Sequence, residues 1–203
     1  MMKIYTALAI FAFGISTASA QAPAVKVDGG KLSIDTQKTP QFTASGVKDK
    51  NWRQKDWLEV DLPFQIKLPQ AAGGRNGSLE SMTVNYYIGL NAQTKDNKFE
   101  VVKGTFNYVD IPAGQDCHAL AYVSPATLRR LLQKDNFTPS DIKAWGYEVL
   151  VGGQRVGGDS SVSGNAWWEK TDTLSINEGV MLAKTETPFG ILWGDYDVSA
   201  KKQ

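Results

Sequence analysis

The sequence predicts a mainly β fold, an antiparallel β-sandwich with one short lateral α-helix at about residues 124–135. Three observations carry that expectation. Apolar and polar side chains alternate over several stretches, Gly- and Pro-rich turn signals separate those stretches, and a single segment has helical periodicity.

The elements follow in chain order. Met1-Met2-Lys3 is a positive start, Ile4 to Ile15 is apolar, and Ser16 to Ala20 is small-residue sequence ending in Ala18-x-Ala20. That is the three-part pattern of a secretory leader, with Ala18 and Ala20 marking cleavage, so residues 1–20 are read as a signal peptide. The apolar run is well short of the ~20 residues that span a bilayer, and nothing in 21–203 is apolar for long enough to anchor the mature chain. No cysteine stands at the cleavage point for lipid attachment, and the junction of a type IV pilin is absent. Residues 21–203 are read as a single β-sandwich domain.

Val25, Val27, Gly29-Gly30, Leu32 and Ile34 predict a small hairpin. From Leu58 the even positions Leu58, Val60, Leu62, Phe64, Ile66 and Leu68 are apolar and the odd ones mostly polar, which predicts a half-buried strand. Pro63 cannot donate to a ladder, so that strand is expected at an edge, or broken or bulged there. After the turn-rich Ala71–Gly77 the alternation resumes at Met82, Val84, Tyr86, Ile88 and Leu90 in matching phase, and the two strands are expected to pair with each other. Phe99 to Ile111 is a further strand, with a phase change near Tyr108–Val109 that predicts a bulge. Cys117 to Val123 predicts a short buried strand.

The helix starts at Ser124, a capping residue, with Pro125 in the first helical position. Leu128, Leu131 and Leu132 form its apolar stripe, and Arg129, Arg130 and Lys134 suit its far side and end. Thr138-Pro139-Ser140-Asp141 predicts only a turn. Trp145, Tyr147, Val149 and Val151 lead into Gly152-Gly153, a hairpin signal, and Arg155-Val156 begins the return. The tail after Tyr196 is expected to fray. An immunoglobulin-like arrangement fits this pattern, without the Cys…Trp…Cys pin of antibody domains.

The chemistry is sparse. The chain has 22 basic and 21 acidic side chains, and cleavage of the leader removes Lys3, so the mature chain is balanced. Nucleic acid and anionic membranes are therefore not expected partners. One cysteine and one histidine provide neither an internal disulfide nor a zinc site. Gly-x-Ser-x-Gly is absent. A Cys/His pair would use Cys117 and His118, which as strand neighbours point to opposite faces. Asp195 and Asp197, with Asp159 and Glu169 near other loops, are the candidates for paired acids. Lys95–Lys98 and Asp49–Asn51 are read as turns rather than cation loops, and Gly152–Gly158 lacks the P-loop ending. No catalytic residue, metal site or cofactor is expected.

Tryptophan is the richest signal: Trp52, Trp57, Trp167 and Trp168 are the candidate ligand or partner contacts, with Trp193 in similar turn-like sequence. Exposed aromatics bury much area at low entropy cost, and they also stack on sugars.

Residues 57–68, 82–90 and the Ser124-Pro125 helix carry a resemblance covering most of 21–203. The chain resembles the small secreted, immunoglobulin-like, pilus-associated proteins of Akkermansia-type Verrucomicrobia. That resemblance implies an immunoglobulin-like fold and a role in pilus formation or surface interaction, with no catalytic residues to carry across. The expected function is thus non-enzymatic: an exported protein of a Gram-negative envelope, in the periplasm or at the cell surface or outer membrane. It would act through contacts with other envelope or pilus proteins, as a pilus accessory or in adhesion. The alternatives are a carbohydrate-binding module that holds glycans with exposed tryptophans, and a glycoside hydrolase with paired carboxylates.

Overall fold

The computed structural model describes residues 25–48, 50–163 and 166–201. The leader, with Ala18 and Ala20, lies outside the described residues. Two five-stranded sheets face each other. The first holds β1 (Lys26–Gly29), β2 (Ser33–Lys38), β3 (Asp56–Lys67), β6 (Cys117–Val123) and β10 (Met181–Ala183). In it β1 and β2 share one side of β3, and β6 and β10 follow on the other. The second runs in the order β8 (Gln154–Ser160), β7 (Ile142–Val151), β4 (Ser78–Gln93), β5 (Phe99–Pro112), β9 (Leu174–Glu178). All pairs are antiparallel except β5–β9. The expected β-sandwich is the observed one.

β3 and β4 have the predicted phase but do not pair. Each lies in a different sheet, and the loop between them carries the chain across the sandwich. Leu58, Val60, Leu62 and Ile66 from β3 and Val84, Tyr86, Ile88 and Leu90 from β4 are all fully buried, packed in one core. Matching phase there means two apolar faces meeting across the core rather than two strands side by side. Fully burying each such side chain is worth about 1.5–3 kcal/mol. The sheets are also tied together by polar groups. The Tyr86 hydroxyl donates to the Ala119 carbonyl and that of Tyr108 to the Leu120 carbonyl, each at 3.1 Å. Burial drives both hydroxyls far above the ordinary tyrosine range, so they stay protonated donors.

Pro63 is not on an edge strand, and β3 is not broken there. It pairs with His118 of β6 in an unbroken register. Its missing N–H faces the other side, where β1 ends opposite Phe64 and β2 begins opposite Asp61. The Pro63 carbonyl accepts the Gly30 N–H at 2.7 Å in that gap. β1 and β2 run in the same direction along β3, so the expected N-terminal hairpin is instead one interrupted strand. Gly29-Gly30 is the interruption, and the irregularity lies on the partner side of the proline.

The expected bulge at Tyr108–Val109 is absent from the β4–β5 register, which shifts only between Gly89 and Gln93. The change of buried face comes instead at Asp110, whose φ of 53° is left-handed. The tail after Tyr196 is held rather than frayed over its described residues. Val198 donates to the His118 carbonyl at 2.8 Å, and Ala200 bridges to Tyr108.

The β7–β8 hairpin turns on Gly152 and Gly153, both with positive φ (58° and 78°), as a two-residue primed turn requires. The helix α1 (Pro125–Leu132) crosses from β6 to β7, and the Ser124 hydroxyl accepts the Thr127 N–H at 3.2 Å. Past it, the nearly buried Asp141 carboxylate pairs with Lys134 and accepts from the Thr138 N–H at 2.8 Å and its hydroxyl at 3.0 Å. Burial alone pushes the Asp141 carboxyl up, but these hydrogen bonds outweigh it and hold the group below its ordinary value. The stabilisation is therefore complete above the unfolded-state pKa and disappears as pH falls through the folded one. Asp141→Asn is expected to cost about 1 kcal/mol at neutral pH. In urea denaturation the gap to wild type should close below about pH 4; a gap unchanged into acid contradicts the assignment.

Candidate functional site

Alternation along β3 turns Trp57, Glu59 and Asp61 away from the core, and on β6 it turns out His118, Leu120 and Tyr122. The apolar members of that outer face, Trp57, Leu120 and Tyr122, need a cover. The segment after β10 provides it, crossing the sheet as a strap over residues 184–198. Phe189, 1% exposed, is its centre. The Phe189 ring stacks on Tyr122 (centroids 4.8 Å, 11°), meets Trp57 edge-on (5.8 Å, 89°) and stacks on Trp193 (6.1 Å, 11°).

Polar contacts fasten the strap on both sides of those rings. Lys184, 8% exposed, pairs its ammonium with the Asp197 carboxylate and donates to the Trp193 carbonyl at 3.1 Å. Asp61 accepts from the Tyr196 hydroxyl at 2.7 Å and lies 2.9 Å from His118 Nδ1. The Tyr196 and His118 rings stack at 4.1 Å. Burial, then the hydrogen bond to Asp61, pushes the Tyr196 hydroxyl up to about 12. Tyr122 donates to Glu59 at 2.7 Å, and burial followed by that bond pushes its hydroxyl far above the usual range.

Fastened in this way, the strap presents Ile191 (77% exposed), Trp193 (43%) and Tyr196 (46%) to solvent. Trp193 has φ +51°, a left-handed conformation disfavoured for a bulky residue and held here by the contacts around it. A second exposed group, Phe42, Val47 and Trp52, lies on the loop between β2 and β3. The stem of that loop, where the Thr39 N–H donates to the Lys55 carbonyl, adjoins the same cluster, because Trp57 Nε1 donates to Thr39 Oγ1 at 3.2 Å.

The four tryptophans singled out in the sequence do not converge. Trp52 is exposed on the β2–β3 loop, and Trp57, half-buried, meets Phe189 of the strap. Trp167 and Trp168 cover the outer face of the other sheet. Trp168 is 6% exposed and stacks on Tyr87 at 4.6 Å and 6°, so it is a packing residue and not an open contact. Trp167 meets Trp168 edge-on and donates to the Trp145 carbonyl at 3.3 Å. Ile191 and Tyr196 were not singled out as contacts; their one sequence signal is an apolar run, Phe189 to Tyr196, set among turn residues rather than in a strand.

The remaining candidates separate. Asp195 is exposed while Asp197 is ion-paired, so the two do not share a face. Cys117 is buried, its thiol pushed up by burial and by Asp116, and His118 faces outward, as alternation requires. Among the described residues, no cluster of three or more His, Cys, Asp or Glu could hold a metal, and no helix is long and apolar enough to cross a membrane.

A protein-family model matches residues 18–203. A crystal structure from Akkermansia muciniphila is similar at 24% identity and a TM-score of 0.75, covering 88% of this chain and 94% of that one. That likeness establishes the fold. No curated protein matches the chain.

Proposed function

We propose, from the premise that this chain belongs to the Akkermansia pilus-associated family whose model spans residues 18–203, that it is an exported, non-enzymatic envelope protein working by protein–protein contact. Its place is the periplasm or the cell surface, as an accessory to pilus formation or adhesion. The observation that supports this reading is the strap. Ile191, Trp193 and Tyr196 are exposed on a short segment that Lys184 closes on itself and that the Tyr196–Asp61 hydrogen bond and the Val198 N–H on the His118 carbonyl tie to the sheet beneath. Aromatic and aliphatic anchors already held in place lose little entropy on binding, which suits a protein interface. The carbohydrate alternative is less well served. Of the strap's two exposed rings, Trp193 stacks on Phe189 and Tyr196 on His118, so each already has a face covered, where a sugar platform needs open faces side by side.

The test is a photo-crosslinking residue at Ile191 in the native envelope, with and without Trp193→Ser. Capture of a protein partner, reduced about tenfold by the substitution, is expected for a central anchor. Recovery of glycans alone overturns the reading.

A further inference from the structure

The neutral total charge of the mature chain conceals a separation of charge. At the end of the sandwich that carries α1, the β2–β3 loop brings Arg53 and Lys55, with Lys48 and Lys50 earlier in the same loop, all exposed. The helix and its exit add Arg129, Arg130 and Lys134. Three acids answer them nearby: Asp56, Asp135 (paired with Arg129 at 3.0 Å) and Asp141 (paired with Lys134); Asp49 stands in the loop sequence. Between the loop and the helix runs a groove of about 580 Å³. Its charged walls are Arg53, Lys55, Arg129 and Lys134 against Asp56 and Asp135, and its apolar lining includes the half-buried Leu132 and Phe137. Trp52, 44% exposed, adjoins Arg53 in the chain.

We propose that this groove is a docking site for an acidic amphipathic segment of a partner protein, its apolar side chains against Leu132 and Phe137 and its carboxylates on Arg53, Lys55 and Arg129. The proposal rests on the reading that the protein works by protein contact. Two observations select the occupant. An apolar lining needs apolar side chains to cover it, whereas a simple polyanion would leave it wet. The cation excess needs carboxylates, and Arg is the residue best suited to grip them in two-pronged fashion. The Arg129–Asp135 pair does not block the site. Its side chains are 70% and 78% exposed, so it contributes little and Arg129 can change partners.

The test uses residues 21–203 and three labelled peptides of equal length, built from Glu and Leu, from Glu and Ser, and from Lys and Leu. Fluorescence anisotropy should show the Glu/Leu peptide binding at least about tenfold more tightly than the other two, since both charge and apolar contact are needed. Arg53→Glu/Lys55→Glu should abolish that preference. Both side chains are exposed, so an unchanged circular dichroism spectrum and Tm are expected. Raising salt to about 1 M, where screening acts within ~3 Å, should weaken binding strongly.

Equal binding of the Glu/Ser peptide overturns the proposal in favour of a plain anion site, and binding only of phosphatidylglycerol vesicles overturns it in favour of a membrane. Self-association of the chain that the same double substitution removes would assign the groove to a second copy and overturn it likewise. The crosslink at Ile191 is read in the wild type and in the same double variant. If the Glu/Leu peptide fails to bind the wild type while the wild-type crosslink forms, the groove is rejected and the protein-contact reading stands. If both fail in the wild type, both are rejected.

Discussion

Lys184→Met is expected to destabilise the protein by about 3–5 kcal/mol, the range for removing one partner of a buried ion pair. The Lys184 and Asp197 side chains are 9% and 12% exposed, and the ammonium also satisfies the Trp193 carbonyl. Methionine fills the space but leaves a carboxylate and a carbonyl facing an apolar group. The structure can relieve this by releasing the strap, which uncovers Phe189, Tyr122 and Trp57 and frees the Tyr196–Asp61 contact. In a domain of this size each kcal/mol moves Tm by about 2–4 °C, so a fall of roughly 6–20 °C is expected. Protease cleavage should concentrate between residues 184 and 198, and tryptophan emission should shift to the red. The double variant Lys184→Met/Asp197→Leu should recover much of the loss, because replacing both charges by apolar groups removes the desolvation cost. A single substitution that leaves Tm within 1–2 °C of wild type, less than one kcal/mol's worth of shift, would show that the pair does not hold the strap.

The strands were legible in the sequence because the two-residue period of a half-buried strand is written directly into it. Cys117–Val123, the cap at Ser124 and the Gly152-Gly153 turn all stand where local chemistry puts them. What period cannot tell is whether two strands of equal phase lie side by side or face each other. Leu58–Leu68 and Met82–Leu90 are alike in both cases, and the choice depends on the long-range register with β6, β5 and β7. Pro63 shows the same limit from another side. A missing donor excludes a hydrogen bond on one side of the strand only, and the gap between β1 and β2 meets that condition within the sheet. The strap was hidden for a different reason. Glu59 and Asp61 read as the wet face of a strand and Trp57 as an open contact, and nothing periodic in Pro188–Asp197 announces that this segment returns to cover them. The charge separation was invisible to a sum, since the basic loop and the basic helix are about seventy residues apart in the chain and meet only in the fold.

Trp168→Ala is the substitution that separates packing from contact among the tryptophans. The indole is 6% exposed, lies flat on Tyr87 and covers Gly146, where an added Cβ would stand 2.1 Å from the ring. Gly146 is thus small because Trp168 occupies the room a side chain would take. Removing the indole leaves a hole above Tyr87 and strips Trp167 of its edge-on neighbour. The expected loss is about 3–5 kcal/mol, as for other large aromatic truncations in a packed site. Gly146→Ala should cost about 1–3 kcal/mol by forcing the ring outward, and combining it with Trp168→Ala should add less than the sum, since both disturb one contact. Trp52→Ala is the control: that side chain is 44% exposed, and a stability change within about 0.5 kcal/mol is expected. Urea denaturation of the set decides the matter. A Trp168→Ala protein as stable as wild type that nonetheless loses its partner would return Trp168 to the contact surface and remove it from the packing of the second sheet.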